Sequence, residues 1–257
     1  MKFNVIASGS KGNATVIVSK KTKILLDFGI SKKRVEHGLE AFSLSLDDID
    51  AFVFTHEHSD HISNAFNIAS SNKVYGPIEV LNKLGIKKDI GHIIKPYKEI
   101  IIGDFSLLPL PLSHDANETY GYVIKDSSES LVYITDTGLV TEKNLEYIKN
   151  LNYIILESNY DEEMLFNSNR PSHLIKRIIS DKGHLSNKEC GYYLSQIIGP
   201  NTSQVILGHI SQDCNKEEIA LSTIKEVILS VNGFFPDDIS FFVAGQEKEI
   251  IGGKDED

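Results

Sequence analysis

The segment His56-Glu57-His58-Ser59-Asp60-His61 puts three imidazoles and an aspartate within six residues, directly after the apolar run Ala51–Thr55. Imidazole and carboxylate are the ligand set of zinc and related divalent ions. A loop that leaves a strand and enters a helix can aim alternate side chains at two neighbouring points. Same-face neighbours on a helix are three or four residues apart. The spacing therefore suits a two-ion site better than the single-ion site of an HExxH helix. A polar, His-rich turn is the plain alternative, and the density of ligand types at a strand end argues against it.

Three later residues fit the same chemistry. His114 lies in Leu112-Ser113-His114-Asp115, past the strand Phe105–Leu110; Asp136 ends the apolar run Leu131–Thr135; His209 follows Gln204–Leu207 by two residues. Taken singly, each also reads as a turn aspartate or an edge histidine. Taken together, all sit just past strand ends, and loops at one rim of a scaffold are where sites are built.

The elements that must position them follow from the pattern. Short β-rich runs at Phe3–Ala7, Thr15–Val18 and Lys23–Phe28 are divided by turns at Gly9–Gly12 and Lys20–Thr22. Ser31 caps a short helix through Leu39. Strands are expected at Ile93–Ile94, Ile100–Leu108, Tyr120–Ile124, Tyr153–Glu157 and Ser240–Val243. Helices are expected at Glu142–Lys149, Leu174–Ser180, Lys188–Ile198 and Lys216–Leu229. Strands dominate early and β–α alternation dominates late. That predicts an α/β fold, a four-layer αββα sandwich forming one domain over residues 1–257, with residues 251–257 as a frayed tail. No internal repeat is visible.

Composition narrows the class. A chain of 257 residues, 41% hydrophobic and 24% charged, can bury a large core without staples. Cys190 and Cys214 therefore read as reduced thiols. No apolar run is long enough for a bilayer or a signal-peptide core, so the expected location is cytoplasmic, with no membrane partner. The formal net charge of −10 argues against a general nucleic-acid coating protein. It leaves room for an enzyme that grips a few phosphates through metals and local basic groups.

The order HxHxDH, then His, Asp and His, resembles the metallo-β-lactamase superfamily, from Ala7-Ser-Gly-Ser-Lys-Gly-Asn13 to Gly208-His-Ile-Ser211. The resemblance implies two metals: His56, His58 and His114 on one, Asp60, His61 and His209 on the other, with Asp136 bridging. Asp27, in Leu25-Leu-Asp-Phe-Gly29, matches the superfamily's early aspartate, with the implied role of holding the ligand loop; a turn-former before Gly29 is the other reading. Ser113-His-Asp-Ala116, Leu156-Glu-Ser-Asn-Tyr-Asp161, Pro171-Ser-His-Leu-Ile-Lys-Arg-Ile178 and Gly183-His-Leu-Ser-Asn187 resemble the YycJ/WalJ group of bacterial metallo-hydrolases, described as DNA exonucleases working from the 5′ end. The same blocks look like a shortened relative of the tRNA 3′-processing nucleases. By that resemblance Glu157 and His184 form a proton-shuttling pair, in which an imidazole protonates a leaving alkoxide and a carboxylate fixes its tautomer.

The implied function is a dinuclear phosphodiesterase, a 5′-to-3′ DNA exonuclease whose nucleophile is a hydroxide bridging two divalent ions, with Asp60 both a ligand and an orienting group. Zinc is preferred, with manganese second, since His, carboxylate and water suit both. The substrate-binding candidates are Lys11 and Asn13 in a glycine turn, together with Asn187, Arg170, Lys176 and Arg177. A solvated helix face is the other reading of the basic segment. The competing function is hydrolysis of a small ester, thioester or cyclic phosphodiester on the same scaffold. A redox di-iron protein is less suited, because that class carries Glu where His58 stands. A non-catalytic binder is disfavoured by the intact ligand set.

Overall fold

The computed structural model describes residues 1–68 and 73–254. Its first seven-stranded sheet contains β1 (Lys2–Ala7), β2 (Ala14–Val18), β3 (Lys23–Leu26), β4 (Ala51–Val53), β5 (Lys73–Gly76), β6 (Gly91–Ile93) and β14 (Ile250–Gly253), in the order β14-β1-β2-β3-β4-β5-β6. The second contains β7 (Ile100–Ile102), β8 (Phe105–Pro111), β9 (Tyr120–Lys125), β10 (Ser130–Ile134), β11 (Tyr153–Glu157), β12 (Gln204–Gly208) and β13 (Ser240–Val243), in numerical order across the sheet. The helices are α1 (Lys32–Glu40), α2 (Ser59–Ile62), α3 (Ile78–Lys83), α4 (Glu142–Ile148), α5 (Glu162–Phe166), α6 (Ser172–Ile178), α7 (Asn187–Ile197) and α8 (Glu217–Asn232).

Alternation along the strands divides the core into layers. Val5, Ile17, Leu26, Val53, Tyr122, Ile124, Tyr133 and Ile155 meet between the two sheets. The intervening residues of the first sheet, such as Val16, Leu25 and Phe52, pack under α1 and α3 through Val35, Leu39, Val80 and Leu81. Those of the second, such as Val132, Ile154 and Val205, pack under α4, α7 and α8 through Leu145, Leu194, Ile224 and Ile228. Strands buried on both faces read as continuous apolar runs, which is how the parallel strands appear in the sequence. The expected αββα sandwich is the observed architecture.

Each sheet runs through three antiparallel pairings and then three parallel ones: β14-β1-β2-β3 then β3-β4-β5-β6, and β7-β8-β9-β10 then β10-β11-β12-β13. The architecture thus repeats although no repeat is visible in the residues. The core constrains only polarity and volume, so different side chains satisfy the same layer.

Two expectations are corrected. The run Ile100–Leu108 is not one strand: Gly103, at φ +60°, turns the chain so that Ile102 pairs with Phe105. The expected frayed tail over residues 251–257 is instead a strand as far as Gly253, because its backbone pairs with β1 from Val5 to Lys2; residues 255–257 lie outside the described residues. Strand β5 and helix α3 went unanticipated, being only four and six residues long. Among the described residues no helix is long and apolar enough to cross a membrane.

Candidate metal centre

Strands β8, β10, β11 and β12 run the same way, so their C-terminal ends share one rim, the usual place for ligands in open α/β sheets. His114, Asp136, Glu157 and His209 stand on that rim. The loop after β4 brings His56, His58, Asp60 and His61 up to it from the other sheet. Gly29 makes this approach possible: a Cβ there would lie 1.6 Å from the Asp60 carbonyl oxygen. Asp27, Asp136 and His209 all adopt left-handed backbone, at φ 57°, 57° and 54°. Such conformations are sparsely populated for non-glycine residues and cluster at functional sites.

The ligating atoms of His56, His58 and His114 lie within 4.8 Å of one another, and so do those of Asp60, His61, Asp136 and His209. Asp136 belongs between the groups: Oδ2 is 3.1 Å from His61 Nε2, while Oδ1 is 3.5 Å from His209 Nε2 and 3.8 Å from His114 Nε2. Every expected metal residue is therefore in one cluster.

A second layer fixes the rings. His61 Nδ1 donates to Asp27 Oδ2 at 2.7 Å, His114 Nδ1 to the Gly183 carbonyl at 3.2 Å, and His209 Nδ1 to Glu157 Oε1 at 2.9 Å. Asp27 also accepts from the Thr55 amide at 2.9 Å and from the Thr55 hydroxyl. With that proton on Asp27, Thr55 Oγ1 accepts from His56 Nδ1 at 3.0 Å. Each ring thereby turns Nε2 toward the cluster, the arrangement that orients histidine ligands. His56 Nε2 and His209 Nε2 are buried without a hydrogen-bond partner. Buried polar atoms left unpaired are costly, so the donor set fits divalent cations supplied from outside.

The charges agree. Burial and then the neighbouring His61 push His56 well below the ordinary imidazole range, so the ring is neutral. Burial acts the same way on His61 and His209, but Asp27 and Asp136 around the first, and Asp136, Asp60 and Glu157 around the second, carry both well above that range. Burial would raise the carboxyl of Asp136, yet His209 and His61 hold it far below the usual carboxylate value.

Beside the cluster, Glu157 Oε1 also accepts from His184 Nδ1 at 2.7 Å, and Oε2 accepts from the Thr137 amide at 2.9 Å. Glu157 is fully buried, whereas the His184 side chain is 19% exposed and lines a cavity of about 220 Å³ with His58, Asp60, Asp136 and His209. Glu157 thus positions, and only His184 of that pair faces the cavity.

The expected substrate-binding residues divide. Arg170 and Arg177 line the cavity. Lys11 and Lys176 are exposed and do not line it. Asn13 and Asn187 are corrected: both are buried, Asn13 bonding Gly9 and His61 Nε2, Asn187 bonding Ser158 and Asn215. The glycine turn is not a free phosphate cradle either. Its amides at Gly9, Lys11, Gly12 and Asn13 donate to Asn13, Gln246, Gly9 and Asp60. The basic segment is largely neutralised by acids from elsewhere, with Arg170 on Asp213, Arg177 on Asp115 and Lys188 on Glu162. Sequence reasoning missed Thr55, Asp115 and Ser8, whose Oγ accepts the His209 amide at 2.7 Å. Thr55 and Asp115 adjoin ligands in the chain, the one signal they offered.

A sandwich of two mixed sheets with this His/Asp cluster on its rim defines a metal-dependent hydrolase. The chain belongs to the metallo-β-lactamase superfamily: residues 22–210 match the Beta-lactamase superfamily domain. It is 32% identical over 232 residues to exodeoxyribonuclease WalJ of Streptococcus pneumoniae (strain D39), covering 87% of this chain and 86% of that protein. It is 32% identical over 237 residues to exodeoxyribonuclease YycJ of Bacillus anthracis, covering 89% of each. Among solved structures, the metallo-β-lactamase fold protein YhfI of Bacillus subtilis superposes with a TM-score of 0.69 at 18% identity, over 98% of this chain and 99% of that one.

Proposed function

We propose that this hydrolase is a two-metal phosphodiesterase that degrades DNA from its 5′ end. His56, His58 and His114 would hold one ion and Asp60, His61 and His209 the other, with Asp136 placed between the two groups. The ions are zinc, with manganese the second choice for the same donors. Two such ions supply an acidified water and neutralise charge on a phosphodiester.

The chain's own residues do the rest. The observation that carries the reading is the buried Glu157 under the cavity-facing His184. Burial alone would raise the Glu157 carboxyl, but His184 and then His209 hold it below its usual value, so it stays anionic. An anionic acceptor on Nδ1 fixes the ring and supports its imidazolium form, in which Nε2 carries the proton that a leaving alkoxide can take. Esters and lactones with good leaving groups need that donor less than a phosphodiester does. The names of the WalJ and YycJ relatives support DNA as the substrate.

The test is a digestion of linear duplex and single-stranded DNA, labelled at either end, by zinc- or manganese-loaded protein. Stepwise loss of the 5′ label as mononucleotides is the expected result. Turnover confined to thioesters or cyclic phosphates overturns the reading.

A further inference from the structure

Asp115 follows His114 directly and divides its two oxygens between different neighbours. Oδ1 lies 3.4 Å from His114 Nε2 and 3.9 Å from His58 Nε2, the metal-facing nitrogens of the three-histidine group. Oδ2 accepts from Arg177 Nε. Arg177 lies on α6, contributes its side chain to the cavity and is 57% exposed. With Nε occupied, the two terminal nitrogens of the guanidinium retain their donors, the fork that matches phosphate.

The surroundings make this link specific. Arg170, the other arginine of the cavity, is tied to Asp213, four residues past His209 and remote in sequence from Asp115. Arg177 is therefore the arginine that reaches the His58–His114 side. A lone exposed arginine samples many rotamers, and ordering it on binding costs conformational entropy. A carboxylate on Nε removes part of that cost beforehand.

We propose that Asp115 is a positioning residue that joins the three-histidine ion subsite to Arg177, so that Arg177 is held as a phosphate clamp beside that ion. Its Oδ1 supports the ion from outside the histidine triangle, and its Oδ2 aims the guanidinium. The link deepens the phosphodiesterase reading but does not need DNA to be the substrate, since any phosphate-bearing ligand meets the same clamp.

The experiment measures zinc affinity and the binding of inorganic phosphate to zinc-loaded protein by calorimetry, for the unsubstituted protein, Asp115→Ala, Asp115→Asn, Arg177→Ala, Arg177→Lys and the double alanine variant. Asp115→Ala should weaken one of the two zinc sites about tenfold. Arg177→Ala should leave zinc affinity unchanged and weaken phosphate about tenfold, the worth of one charge-assisted contact. The double variant should bind phosphate no worse than Asp115→Ala alone, because the two act as one unit. Arg177→Lys should recover little, since a point charge cannot bridge carboxylate and phosphate together. Asp115→Asn should keep the fold and still weaken both ligands. Unchanged zinc affinity in Asp115→Ala, or additive phosphate losses in the double variant, overturns the proposal. If phosphate binding follows this pattern while DNA is left intact, the clamp stands and the DNA substrate falls.

Discussion

Asp27 and Asp136 hold opposite nitrogens of the same imidazole: Asp27 Oδ2 is 2.7 Å from His61 Nδ1, and Asp136 Oδ2 is 3.1 Å from His61 Nε2. They also occupy matching places in the two sheets. Each follows the strand at which antiparallel pairing gives way to parallel pairing, each has φ 57°, and each precedes a glycine by two residues. The doubled architecture thus delivers one carboxylate behind the ring and one in front of it.

Asp27→Ala leaves His61 Nδ1 and the Thr55 amide buried and without their acceptor. Each lost partner costs about 1–3 kcal/mol. Urea unfolding of metal-free protein should show a loss of about 2–6 kcal/mol for the two together, and zinc affinity should fall about 10–100-fold because the ring is no longer oriented. A metal affinity equal to that of the unsubstituted protein would remove Asp27 from the supporting layer.

Gly29→Ala tests the loop approach. The Asp60 carbonyl would lie 1.6 Å from the new Cβ, so the loop must move away. Zinc binding should drop to one ion or none, read by elemental analysis after dialysis, while far-ultraviolet circular dichroism stays that of the folded sandwich. Retention of two ions would show that the loop has slack that the packing denies it.

His184→Ala and Glu157→Gln should separate proton delivery from metal support. Loss of the imidazole should lower kcat about 10²–10⁴-fold with zinc content intact. Glu157→Gln should lower kcat as well, and should also weaken zinc, because Glu157 Oε1 serves both His184 and His209. Full zinc affinity in Glu157→Gln would break the shared-oxygen account.

Metal loading should release protons. In the metal-free protein His61 and His209 titrate well above 6.5 and are charged at neutral pH, yet a ligand ring must be neutral at Nε2. Apparent zinc affinity should therefore fall as pH drops, by about tenfold per unit for each proton displaced, and calorimetry in buffers of different ionisation enthalpy counts those protons. The raised values also stabilise the metal-free fold: the contribution is complete below about pH 6.5 and is lost as pH climbs through the folded-state values. A pH-independent affinity would mean that the rings are already neutral.

The ligand loop was legible because His56, His58, Asp60 and His61 are neighbours in the chain, and local density survives without knowledge of the fold. Asp136 and His209 were legible because strand ends can be read from apolar runs. Asn13 and Asn187 were misread because an exposed turn and a buried one have the same composition; their partners, His61 and Asn215, are distant in sequence. The basic segment was legible only in part: Arg170 and Arg177 line the cavity while Lys176 does not, and their acidic partners Asp213 and Asp115 come from other loops. The clearest failure, strand β14, has too little apolar pattern to announce itself and is strand only because β1 offers it an edge.

That edge carries a consequence for how the chain is made. Lys2 pairs with Gly253, so that side of β1 stays open until the chain has been made as far as residue 253. An unfilled strand edge is a template for pairing with another chain, and nascent intermediates are where such errors concentrate. A chain cut before Ile250 would keep every candidate metal ligand and leave that edge of β1 bare for pairing with another copy.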